Sequence, residues 1–262
     1  MSHMSQINFI TRADDLGSSI SANKGIEIVC NAGFFKNVSV MAPGPHIKHA
    51  ADLLAGRKDI CFGMHMTLNA EWDKIKWKPL TDIGIDSGLV DENGYFLNSP
   101  QLFKETKPSI ENIMNEVEAQ YNQLTELGFD LKYIDSHMMY EYGVPGADDA
   151  VKKFAVDKGL IDHMYFYSYP EGFIEACKNP EDLPGFLKTL SAGQYITVIH
   201  PAVYGEDLLQ TGAGDITGEQ IAKERSTEAA LFSDPALLDL LDKYGYAGIR
   251  YDEAKPFDRL II

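Results

Sequence analysis

The chain has 262 residues, 45% of them hydrophobic, and a formal net charge of −16. So acidic a composition excludes nucleic acid and anionic membranes as partners, because both demand a basic surface. The length suits one large domain over residues 1–262, and with no apolar run of about eighteen residues and no cleavable leader, a cytoplasmic protein is expected. Cys30, Cys61 and Cys177 are widely spaced in apolar surroundings, which reads as reduced core thiols rather than a disulfide frame.

The opening Met-Ser-His-Met resembles a tag remnant, so His3 is set aside. From Ile7 an apolar, β-branched run predicts a buried strand that stops at two adjacent carboxylates, Asp14 and Asp15, before a turn at Gly17. Ile20 to Phe34 reads as a helix with Gly33 as its stop, Asn37 to Ala42 as a strand, His46 to Arg57 as a second helix, and Ile60 to Leu68 as a third strand carrying His65. The alternation then breaks into an insertion at about 69–108, with Trp72, Trp77 and a hairpin signal at Asn93-Gly94. An insertion of that length is expected to act as a lid or binding segment, its tryptophans facing a sugar ring or anchoring the loop.

Ser109 caps an amphipathic helix ending at Gly128, and Leu131 to His137 is the fourth strand, with Asp135 and His137 at its end. A helix at 148–158, an aromatic strand from His163 to Tyr169 and a helix at 180–190 follow. Tyr195 to His200 is the clearest strand, ended by Pro201. A capping box at Thr217 to Gln220 and the Asp234-Pro235 pair open the last two helices before a final strand at Ala247 to Tyr251. Strands alternating with helices predict an α/β fold, an irregular (β/α) barrel of seven strands.

In such a barrel the strand ends open on one face, where active sites are built. That places Asp14, Asp15, His65, Asp135, His137 and His200 around one mouth, while His46, His49 and His163 read as ordinary surface or core residues. An Asp with two His makes a first shell for a divalent cation, and a cation would relieve the repulsion between adjacent carboxylates. One carboxylate can then bind the ion while its neighbour accepts a proton from the attacking water, with His200 placed to protonate a leaving group.

Ala-Asp-Asp-Leu-Gly at 13–17, Gly-Met-His-Met-Thr-Leu at 63–68, Asp-Ser-His at 135–137 and His-Pro at 200–201, with Asn23-Lys-Gly-Ile-Glu and Arg225-x-x-Glu228, resemble the YdjC-like carbohydrate deacetylases in order and spacing. The resemblance implies a barrel of the glycoside hydrolase/deacetylase type that removes the acetyl group from N-acetylglucosamine units. Carried over by position, it implies Asp15, His65 and His137 as metal ligands, Asp14 as general base and His200 as general acid or oxyanion partner. The implied cofactor is a divalent metal ion, magnesium ahead of zinc.

Two positions depart from the family pattern: Met139 stands where a second histidine is common, and Ala202 where glycine is usual. Arg12, Trp72, Asp135, Met139 and Arg225 are the expected substrate contacts, the two arginines being the candidates to hold a phosphate if the sugar carries one, with an ion pair supporting the barrel rim as the structural alternative for both. The expected partner is a small carbohydrate, a chito-oligosaccharide or its phosphorylated form, with a homodimer left open. The alternatives are a metal-dependent hydrolase of phospho-disaccharides and a non-catalytic sugar-binding protein on the same fold.

Overall fold

The computed structural model describes residues 7–140, 143–162 and 168–255. Its strands are β1 (Ile7–Leu16), β2 (Asn37–Val40), β3 (Cys61–Met66), β4 (Leu131–Ser136), β5 (Ile161–Asp162), β6 (Gly193–Ile199) and β7 (Gly248–Ile249). They form one sheet in the order β5-β4-β3-β2-β1-β6, with β7 also on β1, and every pairing is parallel. The expected α/β barrel of seven strands is therefore present and incompletely closed. Among the described residues β5 does not reach β6, and a single parallel bridge joins Ser168 to Tyr195. His3 and most of the expected strand at His163 to Tyr169 lie outside the described residues.

Side chains of a strand alternate between faces. Phe9, Phe62 and Ile134 join the large core under the helices, whereas Ile10, Cys61, Tyr133 and Ile196 pack with Tyr251 as a smaller cluster inside the barrel. Two residues further along the same inner face come Arg12, Gly63 and Asp135, and two further still Asp14, His65 and His137. The barrel is thus apolar at its floor and ionic at its mouth. Gly63 is required by the filling: a Cβ there would stand 2.2 Å from the Tyr133 ring. The three cysteines are buried and free, matching the reading of reduced core thiols.

The helices are α1 (Ile20–Ala32), α2 (Ile47–Leu54), α3 (Phe103–Thr106), α4 (Ile110–Glu126), α5 (Ala147–Lys158), α6 (Phe173–Lys178), α7 (Leu183–Leu187), α8 (Gly218–Leu231) and α9 (Pro235–Lys243). Ser109 caps α4, Thr217 and Gln220 form the capping box of α8, and Asp234 caps α9, as their sequence signals require. The helix expected at 180–190 forms as α7, and a short helix, α6, which the sequence reading did not anticipate, precedes it. Asn179 precedes Pro180 and takes φ −122°, ψ 83°, which ends α6 and forces a fresh start. Among the described residues no helix is long and apolar enough to cross a membrane.

The insertion is fastened to the barrel rather than hinged. Glu116 of α4, fully buried, accepts hydrogen bonds from the backbone amides of Leu80 and Thr81, the Thr81 hydroxyl and the Gln120 amide. Gln120 in turn bonds both backbone groups of Thr67. The hairpin signal at Asn93-Gly94 yields only an isolated antiparallel bridge, Val90 to Phe96, because the Asp91 carboxylate takes the amides of Asn93 and Tyr95 itself. Replacing Glu116 by alanine strands two backbone donors, so Glu116→Ala is expected to lower the unfolding free energy by about 3 kcal/mol, read from the urea midpoint. A loss under about 1 kcal/mol would mean that the insertion is held elsewhere.

Candidate active site

The mouth is built on an irregularity in β1. Ala13 pairs with Val38 and Leu16 with Val40, so β1 carries an extra residue between those points, and Asp15 sits there at φ 70°. In a flat strand Asp14 and Asp15 would face opposite sides of the sheet. The bulge lets both carboxylates serve one cluster, which is the geometric reason adjacent aspartates work here. Asn23 of α1 secures the turn, its side-chain oxygen accepting the Gly17 amide at 2.7 Å and its NH2 group donating to the His46 carbonyl at 3.1 Å. Gly25 of α1 lies against the chain after β6, where a Cβ would stand 2.3 Å from Ala202 Cα.

Three side-chain atoms that could hold a metal ion converge from β1, β3 and the residue after β4. Asp15 Oδ1 lies 3.6 Å from His65 Nε2 and 3.5 Å from His137 Nδ1, and the two imidazole nitrogens are 3.3 Å apart. All three residues are buried, and Asp15 Oδ1 has no hydrogen-bond partner. At those separations the imidazoles do not satisfy it, and an orphaned buried carboxylate oxygen facing two ring nitrogens is what a cation site presents.

The outer nitrogen of each ring is already engaged. His65 Nδ1 is 3.0 Å from Asp135 Oδ1 and His137 Nε2 is 2.9 Å from Glu71 Oε2. If each outer nitrogen carries the proton for its carboxylate, each inner nitrogen presents a lone pair to the ion, the arrangement that orients metal-ligating histidines. Charge agrees with this. Asp14, Asp15, Asp135 and Glu71 bring four carboxylates, and Arg12 and Arg225 bring two guanidiniums, leaving two negative charges for a divalent cation to balance.

Arg12 is buried beneath the mouth. Its Nε and Nη2 bind the two oxygens of Asp14 at 2.7 and 2.8 Å, and its Nη1 reaches Asp135 at 2.9 Å. Asp135 also accepts from Ser39, at 2.9 Å, whose hydroxyl is 2.8 Å from that of Tyr133. Both residues were expected as substrate contacts, with an ion pair supporting the barrel rim as the alternative for Arg12; in the structure they pair with each other, Arg12 also holding Asp14 and Asp135 standing beside His65. Arg225 of α8 binds Asp15 Oδ2 at 2.8 Å and lies over the Trp72 ring, 5.6 Å from its centroid. Although burial opposes ionisation, Arg225 and the neighbouring histidines hold the Asp15 carboxyl well below its usual range.

Trp72, His200, Ile216, Ile221, Glu224, Arg225 and Glu228 line a cleft of about 210 Å³. Burial holds the His200 imidazole below its usual value, against the pull of Asp15. Its backbone N–H donates to Glu228 at 2.8 Å, and its ring makes no hydrogen bond among the described residues. Met139 is exposed at the rim with φ 54°, next to Met138 at φ 59°. Trp77 turns out to be an anchor: it is buried, donates from Nε1 to the Asn69 carbonyl at 2.7 Å, and stands 6.0 Å from the His137 ring. The residue that sequence reasoning missed is Glu71, whose one signal was its place beside Trp72.

The clustered carboxylates raise both imidazoles. Burial opposes the charged form of His65, but Asp135 and Asp14 overcome it; burial likewise opposes that of His137, yet Glu71 and Asp15 push it up to about 10. A divalent cation at this cluster would compete with protons for these imidazoles, so its binding is expected to release protons. Calorimetry in buffers of different ionisation enthalpy measures the number. The sign follows: metal affinity rises with pH until His137 has lost its proton near 10 and falls as the medium is acidified.

The sequence model of the YdjC-like protein family matches residues 8–243. A carbohydrate deacetylase of Thermoanaerobacter pseudethanolicus is 27% identical over 219 residues, which cover 76% of this chain and 83% of the relative. A chitooligosaccharide deacetylase of Escherichia fergusonii is 31% identical over 203 residues, 76% of this chain and 70% of the relative. Among solved structures, one from Enterococcus faecalis V583, given a provisional role in cellobiose-phosphate cleavage, superposes with a TM-score of 0.74 at 20% identity over 96% of this chain and 100% of that one. A family match that spans β1 to β6 but for Ile7, the insertion and both arginines of the mouth carries the conclusion: the chain belongs to the YdjC-like family.

Proposed function

We propose that the protein is a divalent-metal-dependent deacetylase of small, uncharged saccharides that contain N-acetylglucosamine. The observation that carries this reading is the convergence of Asp15, His65 and His137 beside a second carboxylate, Asp14, which also falls within ligand distance of His65 and Asp135 but has both oxygens bonded by Arg12. The names of the two bacterial relatives support the same reaction. When bound, a divalent ion supplies acidification of water and polarisation of the acetyl carbonyl.

The protein's own residues do the rest. Asp14 is held at both oxygens by Arg12, keeps further lone pairs on each, and takes the proton of the attacking water. The C–N bond breaks, acetate leaves with the added oxygen, and the amine nitrogen gains a proton. The ring of His200, without a hydrogen bond among the described residues and lining the cleft, relays or hydrogen-bonds that proton. Trp72 offers its ring to the apolar face of a sugar. Adjacent carboxylates, one turned to the ligand cluster and one to Arg12, do not flank a sugar from two sides as common glycosidases require, which favours amide over glycosidic cleavage.

Charge selects among the sugars. Arg12 is buried against Asp14 and Asp135, and Arg225 is committed to Asp15 and Trp72. The other ionisable residues lining the cleft, apart from His200, are Glu224 and Glu228, so a phosphate would meet carboxylates there. The testing experiment measures acetate released from di-N-acetylchitobiose and from its 6-phosphate by metal-loaded protein. Acetate from the neutral sugar with kcat/KM at least about tenfold higher, worth about 1.4 kcal/mol, is expected. Preference for the phosphate would overturn the charge argument, and no acetate from either would overturn the reaction.

A further inference from the structure

We infer that Glu71 is a positioning residue that sets metal affinity through His137 and joins the metal to the sugar-facing Trp72. This rests on the reading of Asp15, His65 and His137 as the metal site. Each imidazole ligand has one carboxylate behind it, but the two carboxylates come from different parts of the fold. Asp135, behind His65, belongs to the barrel wall and is fixed by Arg12 and Ser39. Glu71, behind His137, belongs to the insertion, and its side chain is nearly buried, 11% exposed, with His137 Nε2 at 2.9 Å. A carboxylate that gives up most of its water for one imidazole is held there by that contact.

The neighbours of Glu71 make the contact consequential. Ala70 accepts from Lys76 Nζ at 3.0 Å and its amide donates to Leu97 at 2.8 Å, so the chain entering Glu71 is fixed. The Asp73 amide donates to Gly212 at 2.8 Å and its carboxylate accepts the Gly214 amide at 3.2 Å, which ties the chain leaving Trp72 to the loop before α8. Trp72 faces Arg225, and Arg225 binds Asp15. A closed circuit results: Asp15, Arg225, Trp72, Glu71 and His137, returning to Asp15 through the ligand cluster. A cation on His137 Nδ1 makes the opposite N–H a stronger donor, tightening its bond to Glu71 and seating Trp72. By linkage, a well-seated Glu71 tightens the cation by the same free energy.

The experiment compares wild type with Glu71→Gln, which keeps shape and an acceptor oxygen but removes the charge, and with Glu126→Gln on the exposed face of α4 as a control for net charge. Affinity for zinc and for magnesium is measured by competition with a chromophoric chelator, and tryptophan fluorescence is followed through each titration. Thermal melts of the chelator-treated proteins test folding independently. The expected result is an affinity about 10- to 100-fold weaker in Glu71→Gln, with a smaller fluorescence response, unchanged metal-free melting and wild-type behaviour in Glu126→Gln. Affinity within about twofold of wild type, where one decade would be about 1.4 kcal/mol, overturns the role of Glu71 alone. Metal-free melting lowered with affinity unchanged also overturns it, since Glu71 would then only anchor the loop. Wild type that binds neither ion overturns the metal site, and this role with it.

Discussion

Asp14→Asn is expected to lower the rate of acetate release by about 10²- to 10⁴-fold while leaving metal affinity within a few-fold of wild type. Asparagine keeps the size of the side chain and one acceptor oxygen, but it cannot take a proton from water. The ligand atoms of Asp15, His65 and His137 do not include it, so the ion keeps its protein ligands. The structure adds a second consequence. Asp14 also carries half the burden of neutralising Arg12, whose remaining ion pair is with Asp135 at 2.9 Å. Removing a charged partner from a buried pair costs up to about 3–5 kcal/mol, and for a chain of this length each kcal/mol moves Tm by about 2–4 °C. The assay must therefore run well below the melting temperature of the variant. A fully folded, metal-loaded Asp14→Asn with wild-type kcat would move the base elsewhere, and His200 is the residue that the geometry leaves for it.

The polar end of each strand was legible because the alternation of a strand is simple: an inner face that is apolar at Ile10, Cys61 and Tyr133 and ionisable at Asp14, His65 and Asp135 announces a floor and a mouth. Capping signals at Ser109, Thr217 and Asp234 were legible for the same local reason. What escaped depends on contacts far apart in the chain. Arg12 reads equally as a phosphate holder or as an ion pair at the barrel rim, and its partner Asp135, 123 positions away, is visible only in the fold. The two tryptophans cannot be separated by local pattern, yet Trp77 is an anchor under His137 and Trp72 lines the cleft. Glu71 looks like one acidic residue among many in a chain with 39 of them, and only the folded insertion brings it to the ring of His137. The helix expected at 180–190 forms as α7, and only the short α6 before Pro180 went unanticipated.

Removing the metal is expected to produce the other large effect, because on the proposed reading the ion supplies the acidified water and the polarised carbonyl, and protons on the histidines that replace its charge supply neither. Treatment with a chelator should reduce acetate release to background, and re-addition should restore it. Two imidazole nitrogens and one carboxylate oxygen form a softer set than the oxygen-rich sites that magnesium prefers. Zinc or manganese is therefore expected to restore activity at lower concentration than magnesium, a revision of the expectation drawn from sequence resemblance. The ion binds the folded chain and not the unfolded one, so at about one hundred times its Kd it adds about 2.7 kcal/mol, or roughly 5–10 °C in Tm. Acid should erase that gain, because protons return to His65 and His137 and compete for the nitrogens that face the ion. Melting curves with and without each ion at pH 5 and pH 8 separate this linkage from general effects of salt, which would not follow the ionisation of two histidines. A Tm indifferent to every divalent ion at pH 8, with acetate release unimpaired by the chelator, would leave the orphaned oxygen of Asp15 without a cation and return the four carboxylates to a purely structural account.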